Sequence, residues 1–531
     1  MIYWCKKCGV PIFDKGLHEC TCDGKVIRIS DSSICNPVFK QERKLLSKIT
    51  GEDLISKDIW YLGGSNYYYD GKIKRISYRD WYKNKEHLLC AEELRNDIEI
   101  EDYEGYQNVV RANETYIKNI VFEAEQYIHE TIAKYPSPEY TPTISFSGGK
   151  DSSVVSRIVM DALQTDSIIH FFGDTTLEFP ETYEYVNGGF RKENPRVALL
   201  PTETDNDFFK LCKVFGPPSQ HERWCCTIFK TSNLNKEFDN LPGKSLTFLG
   251  IRHSESVARS RYERTREESK ISSQINAMPI IEWKDYDVWL YMLYKKMTVN
   301  PCYQYGYKRV GCWCCPNNSD WSMMLTEIYH PDYMQQWKDM VYDFALKTGK
   351  EDPDDYYEEG RWRTRRGASG LKVRNVSITD TPCNLSDKAR NIIIDKKLSK
   401  DVIELFKPLG DLKIVEKKDS TYISVFDYDK SNEYRKVCEL IIKFGTNIIK
   451  VLPEDRIDAT NLVNRIKCQM RKYQFCIRCT ACDSTCPNGA IDTIHGSYHI
   501  DEIKCTHCKH CIAKFYNGCI MCDVLSAKKE P

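Results

Sequence analysis

The stretch Ser145–Ser153, reading Ser-Phe-Ser-Gly-Gly-Lys-Asp-Ser-Ser, constrains this chain more than any other. It follows a β-type run from Tyr140 to Phe146 and opens an apolar-periodic run: Val154, Val155, Ile158, Val159, Leu163. A strand, a glycine turn and a helix N-terminus make an anion site, because free backbone N–H groups and the helix dipole point at the turn. Gly148 and Gly149 let the backbone curl inward. Ser147, Ser152 and Ser153 add hydroxyls, Lys150 adds a point charge, and Asp151 stands beside it. The spacing is not the Walker pattern, which needs Gly-x4-Gly-Lys-Ser/Thr.

Around that stretch, residues 140–320 alternate between strand and helix patterns. Candidate strands are Thr143–Ser147, Ser167–Gly173, Arg196–Pro201 and Ser245–Ile251. The alternation predicts an α/β fold, a parallel sheet with helices on both faces. Ligands in such folds sit at the carboxyl ends of the strands, where residues 147–153 lie. A helix from Asn108 to Lys134 is expected to lead into it, with Ile117, Ile120, Val121, Ala124, Ile128 and Ile132 at helical steps.

The chain has 531 residues and a formal net charge of zero, which implies no global nucleic-acid footprint. No apolar run is long enough to span a bilayer and no signal-peptide core is seen, so a cytoplasmic location is expected. The 25 cysteines cluster at two- and three-residue steps, which is metal-ligand spacing and points to a reducing compartment. Cys5-x2-Cys8 and Cys20-x-Cys22 suit a closed Zn²⁺ site in a zinc-ribbon-like segment, 1–35. Free cysteines or a rubredoxin-type iron are the alternatives, and Cys35 is spare. So short a segment gains much of its stability from a metal.

Residues 36–107 read as a small β-rich module with Trp60-Tyr61 and Tyr67-Tyr68-Tyr69. These aromatics form either an ordinary core or a base-stacking surface. The sheet domain spans 108–320, linker helix included, and 321–384 is a helical extension. Within it Arg361-Trp-Arg-Thr-Arg-Arg366 either holds phosphate or RNA, or is neutralised by the acidic run Glu351–Asp355. Residues 385–470 read as a small α/β domain, with helices near 398–407, 431–444 and 458–470, a hairpin at 412–427 and a strand Asn447–Leu452.

Ser-Gly-Gly-Lys-Asp-Ser resembles the PP-loop of the adenine-nucleotide α-hydrolase superfamily. Asp174-Thr-Thr-Leu-Glu-Phe-Pro-Glu-Thr182, Gly250-Ile-Arg-His-Ser-Glu-Ser-Val-Ala-Arg259, Pro279 to Trp289, Asn300-Pro-Cys-Tyr and Gly306-Tyr resemble segments of the phosphoadenosine phosphosulfate (PAPS) reductases. The resemblance covers about 180 residues in the right order. It implies an adenine nucleotide or sulfonucleotide bound by residues 147–153 with Asp174, Arg252, Glu255 and Arg259. Arginines make bidentate contacts to phosphate or sulfate, and Glu255 between them is suited to orient one. Cys225-Cys226 with Cys312-x2-Cys315 is similar to the [4Fe–4S] site of the adenylylsulfate (APS) reductase branch, which implies those four as ligands and Cys314 as an extra thiol. The reductases finish with Glu-Cys-Gly, whose cysteine attacks the sulfate sulfur. This sequence has no Glu-Cys-Gly, and Cys302 and Cys314 are the substitutes within the matched region. A partner's thiol is the other possibility.

Residues 471–531 read as a ferredoxin-like domain. Cys476-x2-Cys479-x2-Cys482-x3-Cys486-Pro487 is the bacterial ferredoxin run, and Cys505-x2-Cys508-x2-Cys511 repeats it. In two-cluster ferredoxins the fourth cysteine of a run ligates the other cluster. One [4Fe–4S] cluster is therefore expected on Cys505, Cys508, Cys511 and Cys486. The other is expected on Cys476, Cys479, Cys482 and Cys519, with Cys522 as the fallback, because Lys514-Phe-Tyr stands where Cys-Pro belongs. Three clusters are expected in all.

Two functions follow from this. In the first, the chain reduces APS or PAPS to sulfite with electrons passed through its own ferredoxin-like domain from an external low-potential donor, and Lys150 and Arg252 are among the catalytic groups. In the second, it is a PP-loop ATP-dependent sulfur transferase acting on nucleic acid. An electron-transfer or nucleotide-sensing scaffold is a third reading.

Overall fold

In the computed structural model the first four thiols sit on a three-stranded antiparallel sheet. Its strands are β1 (Ile2–Cys5), β2 (Val10–Ile12) and β3 (Val26–Ser30), in the order β2-β1-β3. The structure describes residues 1–526 apart from 14–19, 21, 203–205, 268–273, 369–370, 372–377, 429–431 and 494–497. The chain divides into two units: residues 1–203, 241–269 and 274–338, then residues 204–240, 270–273 and 339–531. Segment 204–240, expected inside the sheet domain, packs instead with the C-terminal half. Among the described residues no helix is long and apolar enough to cross a membrane.

A second small sheet in the first unit runs β4 (Asn36–Pro37), β5 (Trp60–Gly63), β6 (Asn66–Tyr69), β7 (Lys72–Arg75). Trp60, Tyr67, Tyr68 and Tyr69 are buried, and Tyr68 packs on Trp4 of the ribbon with ring centroids 4.4 Å apart. The aromatic run is core, and its rings are not displayed for stacking. The expected long helix is two, Gln107–Ala112 and Glu114–Lys134. The break falls at buried Asn113, which accepts from Phe13 N–H (2.8 Å) and donates to the Pro11 and Val109 carbonyls (both 2.9 Å). A polar side chain engaged with the ribbon backbone interrupts the periodic pattern there.

The large sheet contains β8 (Tyr140–Phe146), β9 (Ile169–Phe172), β10 (Ala198–Pro201), β11 (Lys244–Phe248), β12 (Thr265–Arg266) and β13 (Gln274–Ala277). The order is β10-β9-β8-β11-β13-β12, parallel except for β12. Ser145 faces Phe171 on one side of β8 and Thr143 faces Thr247 on the other. From β8 the chain builds outward first through β9 and β10, then through β11 and β13. β8 is therefore the switch strand, the place where a crevice opens at the carboxyl ends. The helix Lys150–Leu163 follows it and buries Val154, Val155, Ile158 and Val159. This is the α/β fold that the sequence predicts, a parallel sheet flanked by helices.

The second unit is built on an antiparallel sheet: β14 (Thr379–Pro382), β15 (Arg390–Ile393), β16 (Asp411–Lys417), β17 (Ser420–Tyr428), β18 (Tyr434–Ile442) and β19 (Ile448–Pro453), in the order β14-β15-β19-β18-β17-β16. A helix is expected near 431–444, and Tyr434–Ile442 instead form β18. Cys438, Leu440 and Ile442 alternate into the core, and that period of two decides for a strand once a sheet is there to cover it. The helix Ala459–Phe475 and a 3₁₀ run Lys400–Leu409 pack on this sheet. Ile491, Ile500, Cys511 and Ile512 join the same hydrophobic core, so the cysteine-rich C-terminus is continuous with the sheet. A short hairpin, β20 (Ile491–Asp492) with β21 (His499–Ile500), lies between its two cysteine runs.

Candidate active site and cysteine centres

Gly148 holds φ at +68°, and a Cβ there would stand 3.0 Å from both Thr182 and Val186. Asn300 Nδ2 donates to the Gly148 carbonyl (3.1 Å) and to Thr182 Oγ1 (3.0 Å), while Lys150 N–H donates to Tyr303 Oη (3.0 Å). Ser147 N–H donates to Ser152 Oγ (3.2 Å), which in turn donates to the Gly149 carbonyl (2.9 Å). Gly250, just past β11, is pressed against the loop: a Cβ would fall 2.7 Å from the Asp151 carbonyl carbon. The loop is thus held in shape before any ligand arrives.

Two buried cations converge on this turn, each 4% exposed. Lys150 Nζ lies 2.9 Å from Asp151 and 2.9 Å from Asp285. Arg252 reaches Asp151 through Nε (2.6 Å) and Asp285 through Nη2 (2.7 Å), with Nη1 on Ser254 Oγ (3.1 Å). Burial opposes the charge on each group, but the opposite charges outweigh it: Lys150 is raised and Asp285 is pushed down to about 2. Four charges in one buried cluster sum to zero, so the quartet is fully ionised at neutral pH. Asp285, Asn300 and Tyr303 were not singled out from the sequence. They sit far from the loop in the chain, and only the fold brings them to it.

Asp174 lies beyond β9 and accepts from Thr176 N–H and Tyr183 Oη, both at 2.7 Å. Glu255 pairs with Arg259. Thr175 Oγ1 is 3.4 Å from Cys312 Sγ, and Trp313 N–H donates to the Leu177 carbonyl (3.0 Å). The Cys312–Cys315 turn is therefore anchored on the loop that carries Asp174. Cys225 and Cys226 belong to the other unit. There Cys226 lies 3.5 Å from Arg223 Nη2, and its thiol is pushed down to about 5 by hydrogen bonding with Cys225 and by Arg223 and Lys230, against the effect of burial.

The sequence offered Cys302 and Cys314 as nucleophiles, and their surroundings speak against this. Cys302 is 0% exposed and Cys314 is 1% exposed. Burial, reinforced by the Glu181 carboxylate 4.0 Å away, drives the Cys302 thiol well above its ordinary range, and a thiol that does not ionise is a poor nucleophile. Within the arginine run, Arg365 is buried and Arg361 is exposed. Arg365 donates to the carbonyls of Phe215 (3.0 Å) and Pro217 (2.9 and 3.1 Å), and Arg361 pairs with Glu359.

The N-terminal thiols Cys5, Cys8, Cys20 and Cys22 offer sulfurs that all lie within 4.8 Å of one another. A Cβ on Gly24 would meet Cys22 Sγ at 2.8 Å and Cys5 Sγ at 2.9 Å. Four converging thiols packed this closely fit one tetrahedral ion such as Zn²⁺. The ribbon is braced on the main fold by Asn113 and by Phe13, which stacks on Tyr286 at 4.4 Å.

At the C-terminus Cys486, Cys505, Cys508 and Cys511 line one cavity with Pro487, Ile491 and Ile500. Cys476, Cys479 and Cys482 act electrostatically on one another and on Cys519. Gly518, at φ +87°, lets the chain approach the backbone of Cys468, where a Cβ would be 2.4 Å from the carbonyl oxygen, and that approach carries Cys519 inward. Cys486 thus shares a cavity with Cys505, Cys508 and Cys511, and Cys519 is the late cysteine that acts on Cys476, Cys479 and Cys482. Cys522, the fallback, lies beside Cys519, its N–H 3.4 Å from that sulfur. The two four-thiol sets fit two [4Fe–4S] clusters.

The fold places the glycine loop at the carboxyl end of the switch strand in a parallel α/β domain. Residues 141–318 match the family model described as phosphoadenosine phosphosulfate reductase domain. An uncharacterized protein of Methanocaldococcus jannaschii, MJ0066, is 33% identical over 261 residues, 49% of this chain and 52% of the relative. An adenosine 5'-phosphosulfate reductase of Staphylococcus epidermidis is 25% identical over 41% of this chain and 86% of the relative. Among solved structures, a phosphoadenylyl-sulfate reductase of Candida auris aligns at 17% identity and a TM-score of 0.29, over 41% of this chain and 98% of that one. The chain spans roughly half to three-fifths of the length of the two M. jannaschii relatives it matches.

Proposed function

We propose that this protein is a sulfonucleotide reductase-type oxidoreductase that binds APS or PAPS on the 147–153 loop and reduces its sulfate to sulfite. The observation that carries this reading is the pair of buried cations, Lys150 and Arg252, fixed at the carboxyl end of the switch strand beside a preformed helix N-terminus. Fixed donors aimed where an anion sits cost little reorganisation on binding. Asp174, Glu255 and Arg259 are the further nucleotide-contact candidates.

Reductive cleavage delivers two electrons to the sulfate sulfur and breaks its bond to the bridging oxygen. That oxygen leaves with the nucleoside phosphate, and sulfite is released. In this reading Lys150 and Arg252 neutralise the departing phosphate, the loop N–H groups orient it, and an external low-potential donor supplies the electrons. The C-terminal thiol sets hold two [4Fe–4S] clusters, which supply one-electron transfer when bound. Zn²⁺ is proposed at the N-terminus. The aromatic module is buried core and Arg365 is engaged with backbone carbonyls inside the fold, so sulfur insertion is not favoured.

Equilibrium binding of APS, PAPS and ATP to the full chain tests the site. The expected result is binding of APS or PAPS that weakens at least tenfold in Lys150→Met and Gly148→Val while circular dichroism is unchanged. Equal binding in wild type and both variants contradicts it.

A further inference from the structure

Lys472, on the helix Ala459–Phe475, is 1% exposed. Its Nζ donates to the Cys511 carbonyl at 2.6 Å and reaches Tyr498 Oη at 3.5 Å. Among the described residues no carboxylate lies at ion-pair distance from it. A buried ammonium without a counter-charge costs several kcal/mol, so a chain that keeps one needs an anion near it. Burial works against the Lys472 charge, and Cys482, Cys511, Cys519 and Cys468 lie close enough to act on it electrostatically in the opposite direction. Cys482 and Cys519 belong to one four-thiol set and Cys511 to the other. Cys468 stands one turn earlier on the same helix.

We infer that Lys472 is a positioning cation shared by the two C-terminal cysteine centres, and that it raises the reduction potential of both. This rests on reading the eight cysteines as two [4Fe–4S] sites. Gaining one electron makes a centre one charge more negative. A fixed positive charge in a dry interior favours that reduced state more than the oxidised one, because Coulomb energies grow as the dielectric falls. The ammonium faces members of both sets, so one side chain sets two potentials in the same direction. The hydrogen bond to the Cys511 carbonyl and the contact with Tyr498 hold it there and prevent its escape to solvent.

The test uses full-length protein purified anaerobically, with iron and sulfide counted and midpoint potentials read by EPR-monitored redox titration. Lys472→Met removes the charge at similar length, and Lys472→Arg keeps it. Both C-terminal centres should become harder to reduce in Lys472→Met, by at least tenfold in the reduction constant, about 59 mV for a one-electron couple. Lys472→Arg should stay near wild type. Unchanged potentials in a fully loaded Lys472→Met protein overturn the inference. Loss of iron in Lys472→Met also overturns it, because the lysine then only holds the fold. Wild-type protein that takes up no iron or sulfide at the C-terminus sinks the underlying cluster reading instead, and the two failures are distinct.

Discussion

Replacing Asp285 by asparagine probes the buried quartet, and the structure fixes both directions of the effect. The side chain accepts from Lys150 and Arg252 at 2.9 and 2.7 Å. Its carboxyl is pushed down to about 2 from an ordinary value near 3.8. At about 1.4 kcal/mol per tenfold, that is roughly 2 kcal/mol of stability. The folded-state value lies below the unfolded one, so the contribution is complete above about pH 4 and is lost as the pH falls through about 2. Asparagine also leaves Lys150 and Arg252 sharing the single carboxylate of Asp151, and breaking a buried pair costs about 3–5 kcal/mol. The expected result at pH 7 is a Tm several degrees lower than wild type, by differential scanning fluorimetry of the full chain. The quartet then carries a net charge of +1, so affinity for APS or PAPS should rise at low salt, and the gain should shrink at high salt. A variant with unchanged Tm and unchanged affinity refutes the reasoning.

Gly250→Ala should weaken nucleotide binding at least tenfold while most of the fold persists, because its Cβ displaces the Asp151–Ser152 backbone; titration calorimetry checks this. Cys20→Ser should lower the zinc content and Tm of the full chain, and a chelator should reproduce the loss in wild type; metal analysis alongside fluorimetry decides it. Cys302→Ser should keep turnover within about threefold, because that thiol is buried and un-ionised, whereas a nucleophile would lose nearly all activity. Single-turnover sulfite release distinguishes the two.

The parts of the site that were legible in the sequence are those written in short spacings. The 147–153 loop and the paired Cys-x2-Cys runs depend on residues near one another in the chain. The members the sequence hid are the long-range ones. Asp285 is read as an ordinary acidic helix start until β13 and its following turn bring it to Lys150. Asn300 and Tyr303 hold the loop from 150 residues away. β18 shows the opposite difficulty: its apolar residues fit a helical step as well as a strand, and only the neighbouring β17 and β19 select the alternation. Arg365 shows that composition does not reveal a role, since the same guanidinium that suits a phosphate also satisfies three backbone carbonyl contacts inside the fold. The break at Asn113 was hidden because its partners, the Phe13 N–H and Pro11 carbonyl, lie a hundred residues earlier.

The most direct measurement is anaerobic turnover of the reconstituted full chain with a low-potential reductant, with APS, PAPS and ATP supplied separately and sulfite and pyrophosphate assayed. The account predicts sulfite from APS or PAPS, lost in Arg252→Met and retained in Cys302→Ser. Absence of sulfite from a protein with its full iron content, with pyrophosphate released from ATP only when RNA or DNA is present, would contradict it.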